Sequence, residues 1–252
     1  MAGLRGEPLS SRPAHLIRVM PAEEYDPQNS NPLRRRVFLS ERRAVIFAYA
    51  ELADLALARA ALRPDDWLIA ADGGTRHCRA LGLVPDVVIG DFDSLAAGEL
   101  AVLQNGETQL ILYPVRKDRT DLELALLFAV EGGAKDILVF GALGVRWDQT
   151  LANLLLLTLP ELSSARVRLL DGKQQIYLIR RKSTIEGQPG DTVSLIPMRG
   201  DARGVTTHGL EYPLDDGTLP FGTTLGVSNV LLGESATVEV GEGLVMCVVI
   251  GR

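Results

Sequence analysis

From Arg43 to about residue 165, short apolar runs alternate with amphipathic helical windows. In order these are AVIFAYA, LADLALARAAL, WLIAA, TRHCRALGL, DVVIG, LAAGELAVLQ, TQLILYP, TDLELALLFAVEGG, DILVFGA and DQTLANLLLLTLPEL. An apolar run without polar alternation suits a strand buried on both faces, and an intervening helix is the crossover that parallel pairing requires. The pattern predicts a mostly parallel sheet covered by helices on both sides. After about residue 165 the helical windows stop. RVRLLDG, QQIYLIRR, TIEGQPGDTVSLIPM, ARGVTTHGLEYPL, ATVEV and LVMCVVIG are short strands separated by Gly, Pro and Asp turns, the pattern of an all-β sandwich or small barrel. At 252 residues and 46% apolar content the chain can fill both cores. The expected organisation is an irregular or mobile extension over residues 1–40, an α/β domain over 41–172 and a β-sandwich over 173–252, with the boundary near Leu170 to Gln175.

Charge and cysteine use narrow the function. A net charge of −6 argues against a nucleic-acid partner, which needs a basic face. The two cysteines, Cys78 and Cys247, are far apart and lack metal-binding spacing, so they read as reduced thiols. No apolar run approaches the roughly 18–20 residues of a spanning helix, so no membrane partner is expected and the cytoplasm is the expected compartment. Arg34, Arg35 and Arg36 form a basic cluster in the extension, read as a solvated charge run or a dock for an anionic partner.

The acidic motifs carry the chemistry. AADGG places Asp72 and Gly73 after one apolar run, and GDFDS places Asp91 and Asp93 after the next. YPVRKDRTDLE carries Lys117, Asp118, Thr120, Asp121 and Glu123; GALGVRWDQTLAN carries Arg146, Asp148 and Gln149. In a parallel sheet every strand's carboxyl end lies on one edge, where ligands of open α/β folds bind, so these loops converge. Mg²⁺ prefers oxygen donors and is typically held by one or two carboxylates plus substrate phosphates. Lys117 and Arg146 would balance phosphate charge, and phosphoryl transfer asks mainly for positioning and charge compensation. Taken singly, each motif has a structural alternative. Asp72 before two glycines can shape a turn. Asp118 or Thr120 can cap a helix whose first turn favours Asp121 and Glu123, and Asp148 can open the next helix.

Other motifs are missing. The chain has no G-x-x-x-x-G-K-[ST] loop, no G-x-G-x-x-G and no H-E-x-x-H, and GVSNV lacks the last glycine of a nucleophile elbow. In the β region, LPFGTTLGVSNVLLGESATVEV gathers Thr223, Thr224, Ser228 and Asn229 between glycines. Those neutral hydrogen-bonding groups suit a small polar organic ligand or a turn-rich loop.

With ADGG, GDFDS, KDRTDLE, GVRWDQTLAN, SLIPM, VTTHGLEYPL and GTTLGVSN in this order, the sequence from about Arg43 to the carboxyl end resembles the thiamine pyrophosphokinase (thiamine diphosphokinase) family. The resemblance implies a Rossmann-like α/β domain followed by a β-sandwich, and a homodimer with active sites between subunits. It implies transfer of the diphosphate of ATP to thiamine, giving thiamine diphosphate and AMP. By that similarity Asp91, Asp93 and Asp121 would hold Mg²⁺. Asp72, Gly73, Lys117, Asp118, Thr120 and Arg146 would serve ATP, and Lys117, Asp121 and Asp148 the chemistry. Asp148 would lie by the thiamine hydroxyl with Gln149, and Ser228 and Asn229 would reach the pyrimidine from the partner subunit. Met246 stands where animal members carry a ring-stacking Trp. Three rival readings remain: a nucleotide-sugar glycosyltransferase using Asp91-Phe92-Asp93, a catalytically silent thiamine or nucleotide sensor, and a diphosphokinase acting on a related pyrimidine or a pterin, since ring specificity lies in the β region.

Overall fold

The structure, a computed structural model, describes residues 17–19, 42–95 and 97–252. Its first half contains β1 (Ile17–Val19), β2 (Ala44–Phe47), α1 (Leu55–Ala60), β3 (Trp67–Ala71), α2 (Thr75–Ala80), β4 (Val87–Gly90) and α3 (Ala97–Asn105). There follow β5 (Gln109–Leu112), α4 (Asp121–Glu131), β6 (Asp136–Phe140), α5 (Trp147–Leu156) and β7 (Arg166–Asp171). The strands lie in the order β1-β5-β4-β3-β2-β6-β7, all parallel. From β2 the chain steps outward through β3 and β4 to β5, then returns to place β6 on the other flank of β2. The strand order therefore reverses between β2 and β6, and a crevice opens there at the carboxyl ends.

Alternate residues of each strand serve two apolar layers. Ile46, Ile69, Ile89, Ile137 and Val139 pack with α4 on one face of the sheet. Val45, Phe47, Val88, Leu138 and Phe140 pack with Ala58 of α1 and Cys78 of α2 on the other. Helix α4 is buried on nearly every side, Leu122 and Leu124 to Ala129 all being covered, which explains its lack of a polar stripe. At the start of β2, Arg43 makes a two-pronged pair with Asp66 (Nε to Oδ1 2.9 Å, Nη2 to Oδ2 2.7 Å), and Asp66 Oδ2 also accepts from the Arg63 backbone N–H at 2.7 Å. That buried cluster anchors the loop entering β3.

Part of the amino-terminal stretch read as irregular is a strand: Ile17 pairs with Leu110 and Val19 with Leu112, so β1 extends the sheet edge beside β5. Parallel pairing satisfies backbone groups that β5 would otherwise expose. Arg34, Arg35 and Arg36 lie outside the described residues.

The second half contains β8 (Gln174–Ile179), β9 (Lys182–Glu186), β10 (Thr192–Pro197), β11 (Ala202–His208), β12 (Gly217–Leu219), β13 (Asn229–Val230), β14 (Ser235–Glu239) and β15 (Val245–Ile250). The sheet does not stop at the expected boundary. A hairpin at Gly172 and Lys173 pairs β7 antiparallel with β8, and β15, β10 and β13 follow, giving one eleven-stranded sheet. A separate four-stranded sheet, β12-β11-β14-β9, closes over this antiparallel part. Tyr177, Ile179, Val193, Leu195, Val245 and Cys247 face Ile185, Val205, Ala236 and Val238 across the sandwich. The opposite face of the same strands, with Ile176 and Met246, joins the core around α4.

Candidate functional site

The DGG turn follows β3 directly. Asp72 takes φ 43°, a left-handed conformation strained for a side-chain-bearing residue, and its Oδ1 is buried without a hydrogen-bond partner. Glycine at position 90 lets Asp72 sit against the end of β4, because a Cβ there would fall 2.9 Å from the Asp72 Cβ. Phe92, at φ 62°, tucks toward the apolar layer beneath while Asp91 and Asp93 flank it. Carboxylate oxygens of Asp72, Asp91 and Asp93 consequently all lie within 4.8 Å of one another. The crowding has an electrostatic signature: the Asp91 charge, with some desolvation and Asp72, pushes the Asp93 carboxyl above the ordinary Asp range.

Lys117 answers part of this charge. Its ammonium is 2.9 Å from Asp121 Oδ1 and 3.4 Å from Asp91 Oδ2, with the side chain almost wholly covered. Burial opposes the ammonium charge, but Asp121 and Asp91 outweigh it and the Lys117 pKa is raised. At Asp121 burial prevails over Lys117 and that pKa is raised too. Asp121 opens α4, where Thr120 Oγ1 caps the helix by accepting from the Glu123 N–H at 3.2 Å.

A cavity of about 590 Å³ occupies the crevice between the β2 and β6 ends, bounded by Asp72, Thr120, Asp121, Arg146 and Gln149 among others. Arg146 pairs with Asp148 (Nη2 to Oδ2 2.5 Å) at the exposed start of α5, and the guanidinium holds the Asp148 carboxyl below the usual range.

The structure thus gathers Asp72, Gly73, Asp91, Asp93, Lys117, Thr120, Asp121, Arg146 and Gln149 about one crevice. Its carboxylate triad contains Asp72, whereas Asp121 is engaged by Lys117. Asp118 is exposed and does not line the cavity. Asp148 is turned to Arg146. Ser228 and Asn229 belong to the β region, where the Ser228 N–H donates to Ser194 Oγ at 3.0 Å. The Asn229 side chain bonds the backbone of Tyr212, at 2.7 and 3.0 Å. Met246 is 7% exposed and part of the core, facing away from the sandwich interior. One wall escaped the sequence reading: Tyr49, Glu51 and Arg76, with Thr150 and Asn153 further along. The signal for Tyr49 is its place just past the apolar β2 run, at the same sheet edge as the acidic loops.

An acidic, cation-edged crevice at the reversal point of a parallel sheet, with a β-sandwich grown from the same sheet, is the build of an α/β protein that handles a phosphorylated ligand. More narrowly, the chain belongs to the thiamin pyrophosphokinase family. Residues 58–169 match the thiamin pyrophosphokinase catalytic domain and residues 177–245 its vitamin B1 binding domain. A thiamine pyrophosphokinase of Bacillus subtilis (strain 168) is 31% identical over 182 residues, spanning 71% of this chain and 85% of that protein. Thiamine pyrophosphokinase 3 of Oryza sativa subsp. japonica is 32% identical over 167 residues, 62% of each chain. The crystal structure of thiamine pyrophosphokinase from Bacillus subtilis superposes with a TM-score of 0.75 at 28% identity, covering 84% of this chain and all of that one. No described helix is long and apolar enough to cross a membrane.

Proposed function

We propose that the chain is a Mg²⁺-dependent thiamine diphosphokinase: the thiamine hydroxyl oxygen bonds to the β-phosphorus of ATP, the bond from that phosphorus to the α–β bridging oxygen breaks, AMP leaves with that oxygen, and the hydroxyl proton passes through Asp148 to solvent. The observation that carries this reading is the Asp72, Asp91 and Asp93 triad in the switch-point crevice of a chain matched over both halves by the family's two domains. The residues fit a hard divalent cation. Three carboxylates offer only oxygen donors, and the unpartnered buried Asp72 Oδ1 supplies a ligand atom whose desolvation is otherwise uncompensated. Bound there, Mg²⁺ would neutralise charge on the polyphosphate.

The chain's own groups do the rest. Lys117, paired with Asp91 and Asp121, would offer N–H donors to phosphate oxygens, and Arg146, on the cavity wall, would clamp the polyphosphate from the β6 side. Asp148, released by Arg146 as that guanidinium turns to the polyphosphate, would accept a hydrogen bond from the thiamine hydroxyl and take its proton as the bond to phosphorus forms. Ser228 and Asn229 would act on the thiamine bound at a second copy. A homodimer is supported by two uncovered apolar surfaces. Trp147, Leu151 and Leu155 follow one another at helical spacing along α5, and Phe221, Leu225 and Leu232 project from the β region. Buried, unpaired thiols at Cys78 and Cys247 agree with the reducing cytoplasm.

The test follows AMP and thiamine diphosphate together from ATP, Mg²⁺ and thiamine, with Asp91→Ala as control. Equal amounts of both products, lost in the control, are expected. Thiamine binding without AMP formation would replace the enzyme with a sensor.

A further inference from the structure

The segment Ala48 to Ala50, just past β2, is fastened at four of its six backbone polar groups. The Ala48 and Ala50 N–H groups donate to the Phe140 and Gly141 carbonyls at 2.8 Å each. The Ala50 carbonyl meets His77 Nε2 at 2.8 Å, and the Tyr49 carbonyl accepts from Arg76 Nη2. Glycine on both flanks permits this closeness. A Cβ on Gly74 would reach the Phe47 carbonyl and one on Gly141 the Ala48 carbonyl. Yet the residue so rigidly held carries an aromatic ring that is 63% exposed on the cavity wall.

That ring is itself braced. Arg76 stacks its guanidinium 4.6 Å from the ring centroid and pairs with Glu51 at 3.6 Å, and the ring edge rests on Gly73, where a Cβ would lie 2.5 Å from Cδ2. Large apolar side chains are normally exposed on mobile or casual surface; this one is fixed in place, with one face covered by a cation and the other left open. A braced aromatic face beside a polyphosphate-sized acidic crevice is a stacking platform for a planar ring. Of the planar rings in the reaction, the neutral purine suits it best: thiamine's aminopyrimidine is the ring that Ser228 and Asn229 of a second copy would hold, which leaves its thiazolium as the competitor. A thiazolium cation would approach a ring whose π-face attraction is already committed to the Arg76 charge.

We propose that Tyr49, braced by Arg76, is the residue that stacks on the nucleobase of the donor nucleotide and so makes this site take a nucleoside triphosphate rather than any polyphosphate. The proposal rests on the diphosphokinase reading and deepens it. Because every base offers a π-face, the platform recognises an aromatic base and not its exocyclic groups.

The full-length protein is tested by calorimetric titration with AMP and with inorganic tripolyphosphate, and by KM for ATP and for thiamine. Tyr49→Ala should weaken AMP binding and raise the ATP KM by about tenfold or more, the effect of removing a base-stacking aromatic. Tripolyphosphate binding and the thiamine KM should stay within about twofold of the unaltered protein, the contacts they use being elsewhere. Tyr49→Phe should restore AMP binding, and Arg76→Met should fall between. If Tyr49→Ala binds AMP as tightly as the unaltered protein, or if its thiamine KM rises instead, the proposal is overturned while diphosphate transfer stands. If the unaltered protein neither binds AMP nor forms thiamine diphosphate, the function reading fails first and takes this one with it.

Discussion

Gly74→Ala sets two effects of opposite sign against each other. Gly74 has φ −61° and ψ −19°, ordinary right-handed values at the entry to α2, so propensity alone says that alanine should stabilise, by roughly 0.5–1 kcal/mol. The tertiary structure says otherwise. The added methyl would lie 1.9 Å from the Phe47 carbonyl oxygen and 2.6 Å from its carbon, and this obstacle is the backbone of a central strand with no rotamer to change. Relief requires β2 and the DGG turn to part by more than 1 Å, roughly the shortfall from van der Waals contact. Overpacking of this kind costs about 1–3 kcal/mol, and an immovable neighbour places it at the upper end. Subtracting the propensity gain leaves a net loss of about 2 kcal/mol, or about 4–8 °C in Tm for a chain of this size. The matched control is Gly98→Ala in α3, where nothing lies within 4 Å of the added methyl and a small rise in Tm is expected. Thermal unfolding of the two variants beside the parent decides. A Gly74→Ala protein as stable as its parent, with unchanged turnover, would refute the claimed contact between β2 and the turn that carries Asp72.

Asp66→Ala strands the covered Arg43 guanidinium without its partner and should cost about 3–5 kcal/mol in urea unfolding, whereas a loss below about 1 kcal/mol would contradict the buried pair. Burial pushes both cysteine thiols up to about 12, so neither should react with a thiol reagent at pH 8 until the chain is unfolded; rapid labelling of the native protein would count against their burial. Asp93 and Asp121 have raised carboxyl pKa values, from the Asp91 charge and from burial respectively, so each holds its proton more tightly folded than unfolded. Ionising them opposes folding as pH climbs from the ordinary carboxylate range through the raised values, and under the proposed Mg²⁺ reading, in which the cation would need the ionised triad, Mg²⁺ should raise Tm more at neutral pH than in that acid window. Thermal scans with Mg²⁺ or a chelator across pH test this, and a Mg²⁺ effect that grows on acidification would be the wrong sign. Under the proposed homodimer, Leu151→Glu, which places a charge on the uncovered stripe of α5, should yield monomers with little turnover in light scattering and product assays; an intact, active dimer would remove this stripe from the proposed contact.

What the sequence determined by itself was local. Apolar runs of strand length separated by helical windows specified a parallel sheet, because a strand buried on both faces cannot alternate and its return needs a helix. Turn residues marked the change to antiparallel pairing, and the acidic motifs predicted that four loops, with Asp72, Asp91, Asp93, Asp118, Asp121 and Asp148 among their residues, meet at one sheet edge, where the structure brings Asp72, Asp91 and Asp93 together with Asp121 joined to them through Lys117. The tertiary structure decided which of them meet. That Asp72 completes the triad depends on Gly90 letting the end of β3 close on the end of β4, a distance across separate strands that spacing along the chain does not encode, whereas the pairing of Asp121 with Lys117 is local, four residues apart. The unbroken sheet through Gly172 and Lys173 was likewise hidden, because a hairpin between two sheets and a hairpin within one have the same turn chemistry. Tyr49 was hidden for the same kind of reason: its role comes from the reversal of strand order between β2 and β6, and from Arg76 and Gly73 arriving from the next loop to brace it.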